Sequence, residues 1–175
     1  MANALLTDFE KNILKKLEQH FYDVVPHQLK TYCVVDSQIA CHVLNHFDME
    51  ASLYPCQMRH YSAKGIYAVG FVEGKIPASQ WNGHVICKTQ NWFLDASLFT
   101  LSKNFQVEVP LAICAKAIDF KNYKFARYDL DDGSVLRWFQ APENFDLKIP
   151  DEPKEIIQKY ANEIIKIIDT ELLNQ

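Results

Sequence analysis

Three residues far apart in the chain carry the side chains of a nucleophile, a proton carrier and an orienting acid: Cys33, His84 and Asp95. Two of them belong to one stretch, "WNGHVICKTQNWFLDAS", which runs from Trp81 to Ser97. It reads as two short apolar strands joined by a polar turn, with His84 opening the first and Asp95 near the end of the second. If the strands pair as a hairpin, the register decides whether the two side chains meet. A four-residue loop sets His84 directly opposite Asp95. A two-residue turn leaves them diagonal on one face, and a three-residue loop separates them to opposite faces. Where they meet, the carboxylate holds one ring nitrogen as a donor and favours the imidazolium.

The element that must present Cys33 is a helix predicted from about Tyr32 to Phe47, capped by Thr31. A thiol in its first turn faces unpaired backbone N–H groups and the positive end of the helix dipole, which favour the anion. The same N–H groups suit an oxyanion. Cysteine at a helix start, then histidine and aspartate on neighbouring strands, is the order acyl transfer through a thiolate needs. Each residue also has a plainer reading: a small core cysteine, a hydrogen-bonded histidine, an aspartate that ends a strand.

The other elements follow from periodicity. Leu6, Phe9, Ile13, Leu14, Leu17 and Phe21 recur at helical spacing from about Leu5 to Phe21, and Pro26 closes that region. Strands are expected at about 51–58, 65–72, 84–88, 92–96 and 107–115. "YDLDDGSVLRWF" reads as a hairpin turning at Asp132-Gly133. A last helix runs from about Glu152 to Leu173, its stripe built from Ile156, Ile157, Tyr160, Ile164, Ile167, Ile168 and Leu172. Helices at both ends of an antiparallel sheet make an α+β domain spanning residues 1–175.

Composition narrows the classes of function. A net charge of -4, with no Lys/Arg block interleaved with aromatics, argues against a nucleic-acid binder. No apolar run reaches membrane-spanning length, and the first residues lack the apolar core of a secretory signal, so a cytoplasmic protein is expected. Five cysteines without CxxC spacing, Cys33, Cys41, Cys56, Cys87 and Cys114, fit neither a disulfide framework nor a structural zinc site. "DLDDG" lacks the spacing and distal Glu of a calcium loop. Asp36 falls on the apolar face of the second helix, close enough to influence Cys33. No cofactor is expected.

The run "CVVDSQIACHVLNHFDMEA", Cys33 to Ala51, resembles the opening helix of bacterial transglutaminase-like, broadly papain-like cysteine hydrolases. Cys33, Val43-Leu44, Phe47 and Ala51 stand at that family's spacing. Gly83-His84 and Leu94-Asp95 are similar to its second block, a Gly-His entering a strand and an apolar-Asp step after a hairpin. The likeness spans Cys33 to Ser97. It implies a papain/transglutaminase-like core with Cys33 as nucleophile, His84 as general base and acid, and Asp95 as orienting group. It also implies a peptide or amide-containing substrate. A catalytically silent binding protein on the same fold is the rival. Asp48 departs from the family, which has a glycine there, and the Gln-Arg signature after the Asp is missing. Gln28, Tyr32 and Asn82 are candidate oxyanion donors by position.

His42 and His46 stand four apart on the second helix, a ligand spacing, yet without the intervening Glu of a zinc protease. Metal analysis of the purified protein is expected to find zinc well below one equivalent. Stoichiometric zinc that resists chelators would instead make these two histidines a site.

Overall fold

The computed structural model describes residues 8–26, 29, 33–72, 81–90, 92–98, 109–110, 112–116 and 124–174. The element order is α1 (Asp8–Val24), α2 (Cys33–His46), β1 (Ser52–Ser62), β2 (Gly65–Val69), β3 (His84–Lys88), β4 (Trp92–Asp95), β5 (Ile113–Lys116), β6 (Lys124–Asp129), β7 (Val135–Gln140) and α3 (Lys154–Leu173). This is the α+β arrangement expected from the sequence. Among these residues no helix is long and apolar enough to cross a membrane.

All strand pairs are antiparallel, in the order β5-β4-β3-β1-β7-β6, with β2 also on β1. The sheet curls until β5 and β6 approach each other, so it is nearly closed. Alternation along each strand then sorts side chains into two cores. Cys56, Met58, Ile86, Phe93, Ile113, Ala126, Leu136 and Trp138 fill the concave side. Leu53, Cys87, Leu94 and Cys114 point the other way and pack with the helices.

The helices cover only part of the outer face. α1 buries Ile13, Leu14, Leu17 and Phe21, and α3 buries Ile157, Ala161, Ile164, Ile165 and Ile168. Lys16 and His20 of α1 both bond Glu171 of α3, which ties the two together. α2 lies between α3 and β3 and is buried nearly all round. It ends in a Schellman arrangement: the Met49 N–H donates to Leu44 O at 3.1 Å and the Asp48 N–H to Asn45 O at 3.2 Å. Asp48 takes φ 58°, the conformation glycine accepts most readily and Asp tolerates.

Some bounds differ from the sequence reading, for local reasons. β1 runs on to Ser62 because β2 and β7 continue to pair it. β5 starts only at Ile113, after Pro110, which has no N–H for a ladder. α1 continues past Phe21 to Val24, and the region still stops at Pro26. The expected Thr31 cap lies outside the described residues.

β3 and β2 occupy the same edge of β1, end to end, so the chain leaving β2 passes close over the start of β3. Gly70 makes that crossing at φ +81°, and a Cβ there would stand 2.4 Å from His84 Cβ and 2.6 Å from His84 N. Gly70→Ala therefore combines backbone strain with a clash against backbone. We expect it to destabilise the fold by about 1–3 kcal/mol in urea unfolding. A variant as stable as the parent would mean that this crossing is loose.

Candidate active site

α2 and β3 run side by side in matched steps. Cys33 Sγ lies 4.0 Å from Gly83 O, the Ser37 hydroxyl donates to Val85 O at 2.9 Å, and Cys41 Sγ lies 3.1 Å from Cys87 Sγ. Four helical residues rise about 6 Å and two strand residues about 6.6 Å, so contacts at 33, 37 and 41 stay in phase with 83, 85 and 87. This phase sets Cys33, the first residue of α2, beside the residue that precedes His84. Cys33 is half-buried, whereas Cys41, Cys56 and Cys87 are buried.

The hairpin of β3 and β4 pairs Cys87 with Leu94 and Lys88 with Phe93. That is the register of the two-residue turn, and it leaves His84 and Asp95 diagonal on one face. His84 Nε2 donates to Asp95 Oδ2 at 2.8 Å. Cys33 lies close enough to the same ring to help raise its pKa, while its thiol is aimed at Gly83 O. The structure thus brings Cys33, His84 and Asp95 together in that order.

Asp95 is fully buried, and a buried carboxylate needs partners. It has four. Besides His84, the Trp138 indole N–H donates to Oδ2 at 2.8 Å, and the Ser97 N–H and hydroxyl donate to Oδ1 at 3.2 and 3.0 Å. Four donors use the full acceptor capacity of a carboxylate. Burial alone would raise the Asp95 pKa, but the charge and hydrogen bond of His84, with Trp138 and Ser97, hold it below the usual range. Burial likewise opposes the His84 imidazolium. Asp95, by charge and hydrogen bond, and Cys33 outweigh it, and the His84 pKa rises to about 10.

Trp138 and Ser97 are not apparent from the sequence pattern. Trp138 sits on β7, three strands from β4, which is about 14 Å across a flat sheet. Only the curl of the sheet brings it to Asp95. The Asp95–Ser97 bonds are a local turn, so the strand-ending reading of Asp95 holds together with its contact to His84.

Aromatic side chains gather beside Gly83. The Trp81 ring lies against Gly83, where a Cβ would come within 2.1 Å of it. Trp81 meets Phe71 edge-on at 6.0 Å, and Phe71 meets Phe145 at 5.5 Å. Phe71 follows Gly70 with φ 55°, so two consecutive residues are left-handed. Gln57 Nε2 clamps this turn by donating to Gly70 O at 3.0 Å and Phe71 O at 3.2 Å. Asn82 Nδ2 donates to Val72 O at 2.6 Å. That bond ties one N–H of the Asn82 amide to the turn, and its Oδ1 accepts from the Val72 N–H at 3.4 Å. Gln28 and Tyr32 lie outside the described residues.

Cys56 and Tyr22 also lie close enough to Asp95 to feel its charge. Burial pushes the Cys56 and Cys87 thiols well up and Cys114 to about 12. Asp36 is fully buried, and after burial itself its charge helps push up the pKa of Tyr22, whose hydroxyl donates to Ala96 O. His42 is exposed and His46 faces Asp169 at 3.6 Å. Among the described residues no three His, Cys, Asp or Glu side chains group as metal ligands.

No family model matches the chain, and no curated protein matches it in sequence. One solved structure, titled only as a genomics target, is similar at a TM-score of 0.40 and 10% identity, over 96% of this chain and 80% of that one. A likeness so slight carries no argument about fold or function.

The buried pair has a definite pH signature. The folded pKa of His84 is raised, so its stabilisation is complete below about 6.5 and drains away as pH rises through about 10. That of Asp95 is lowered, so its stabilisation is present above its ordinary value of 3.8 and lost only in stronger acid. Asp95→Ala is expected to cost about 3–5 kcal/mol of unfolding free energy at pH 6. The gap to the parent should narrow by pH 10. A gap that is constant across this range, measured by urea unfolding, would show that the pair is not charged.

Proposed function

We propose that the chain is a thiol-dependent acyl-transfer enzyme on a papain/transglutaminase-like core, acting on a peptide or amide-containing substrate. The observation that carries this reading is the meeting of the half-buried Cys33, set beside Gly83 at the start of β3, with the His84 ring that is bonded to the fully satisfied Asp95 carboxylate. A buried carboxylate with four donors fixes the ring, and the raised pKa of His84 keeps it protonated at neutral pH, poised to give that proton to a leaving group.

In this mechanism the Cys33 thiolate attacks the acyl carbon. A C–S bond forms and the carbonyl π pair moves to oxygen, which the N–H groups of the first turn of α2 receive. The tetrahedral adduct collapses, the bond to the leaving nitrogen breaks, and the amine takes the proton from His84. A thioester remains. Water or an amine then attacks it and gives His84 a proton, the C–S bond breaks, and the Cys33 thiolate returns. Asp95 stays ionised throughout and acts by holding the ring.

Thiol reactivity tests the reading. With limiting iodoacetamide at pH 6, peptide mapping is expected to find label first on Cys33. His84→Ala should slow that labelling about tenfold or more, because the cationic partner is gone. Asp95→Asn should slow it less. Labelling of all five thiols in order of exposure, with no response to His84→Ala in folded protein, would make Cys33 a packing residue. The chain would then be read as a silent binding protein.

A further inference from the structure

The chain contains only three arginines, Arg59, Arg127 and Arg137, and fifteen lysines. All three arginines stand in one row. Arg59 of β1 is directly opposite Arg137 of β7, and Arg137 is directly opposite Arg127 of β6. Their strand neighbours Met58, Leu136, Trp138 and Ala126 fill the concave core, so the row is on the outer face. Like charges placed directly opposite on a sheet repel. Chance burial would not gather every arginine of a chain with net charge -4 at one level of three strands.

Two of the side chains are held in place on aromatic rings, and the third is paired with a carboxylate. Arg59 lies over the Phe139 ring at 4.7 Å, and Arg137 lies over the Tyr61 ring at 4.9 Å. The two rings are diagonal to the arginines in the ladder and in opposite directions, so the guanidiniums splay apart. Stacking uses the flat face of a guanidinium and leaves its N–H edge for an acceptor. Gln57 accepts from Arg59 Nε at 2.6 Å and orients that group. Asp129, at the exposed end, bonds Arg127 at 2.5 and 2.9 Å. Among the described residues the Arg137 guanidinium, at the centre, meets no hydrogen-bond acceptor or carboxylate, and its Nε is buried without a partner.

The row shares the outer face of the sheet with α2 and Cys33, whereas His84, opposite Cys56 in the ladder, is on the concave side. α2 follows β3 only as far as Gly83, whereas β1 pairs Cys56 with His84 and then continues six residues beyond it. The helix-bearing face of β1 is therefore left past the N-terminus of α2, and that length carries Gln57, Arg59 and Tyr61. Arg59 is three residues, about 10 Å, along β1 from the partner of His84. Gln57 joins the two places directly, since it contacts both Arg59 and the turn that crosses His84.

We propose that the arginine row is an anion subsite on the sheet face beyond Cys33, and that the substrate carries a carboxylate or phosphate on the portion lying over β1 and β7. The proposal rests on the acyl-transfer reading for its link to Cys33, while the anion site itself stands on the arginines alone. Planar guanidinium edges suit both kinds of oxyanion.

Two measurements separate the parts. The first follows arginine Nε–Hε NMR signals of the folded Cys33→Ala protein during titration with pyrophosphate and with glutarate. Both arginine stacks should respond to at least one anion, the tighter of the two identifying phosphate or carboxylate. Affinity should fall with added salt, and by about tenfold or more in Arg137→Gln. Arg127→Gln, an exposed position, provides a second variant should Arg137→Gln fold poorly. Arginine signals unmoved by either anion, or equal binding by the variants, would overturn the site. The second compares two iodoacetamide reagents that differ only in a terminal carboxylate several bonds from the reactive carbon. The charged reagent should label Cys33 faster, with the advantage reduced in Arg137→Gln or Arg127→Gln. Equal rates with Cys33 still labelled first would overturn the substrate assignment and leave the acyl-transfer reading intact. Anion binding without selective Cys33 labelling would overturn the link to Cys33 and leave only the anion site.

Discussion

Everything at the candidate site depends on keeping one carboxylate charged where no water reaches it. Asp95 is wholly enclosed, and an ionised group in that position is tolerable only if its lone pairs are taken up by well-placed donors. The donors come from three places in the chain: the strand opposite, the turn immediately following, and a strand on the far side of the sheet. The requirement for the last of these couples the site to the curvature of the whole sheet. Flattening the sheet would withdraw Trp138 and leave Asp95 with an unfilled acceptor.

The second constraint is the phase between α2 and β3. Ser37 bonds a strand carbonyl and Cys41 abuts Cys87, so the helix has side-chain contacts at two further levels that set the height of Cys33 relative to Gly83. Gly70 and Gly83 remove the side chains that would otherwise force the neighbouring segments away from this meeting point. The site is therefore built from the ends of elements, with its precision drawn from their middles.

The parts legible in the sequence are those governed by short-range rules. β3 is expected at His84–Lys88 and is found there, because its boundaries are marked by a glycine before and a polar turn after. Alternation limits the hairpin to a few registers and so brings His84 within reach of Asp95 in two of them. A helix from about Tyr32 to Phe47 follows from apolar spacing, and the helix found is Cys33–His46. What escapes is everything that depends on closure of the sheet: Trp138 beside Asp95, and three arginines separated by up to 78 positions yet aligned across adjacent strands. The commitment of Asn82 to a neighbouring turn escapes for a related reason, since its partner is a backbone carbonyl ten residues away.

The stepwise match of α2 to β3 also bears on how this chain can change length. One residue inserted between Cys33 and Cys41 would rotate every preceding position by about 100° around the helix and lift it by about 1.5 Å. Cys33 would then leave Gly83 even if the helix itself remained intact. The eight intervals from Cys33 to Cys41 and the four from Gly83 to Cys87 act as two rulers with a common origin. Deletions or insertions in either ruler are tolerated only with a matching change in the other, whereas the turn at 63–64, far from both, has no such partner.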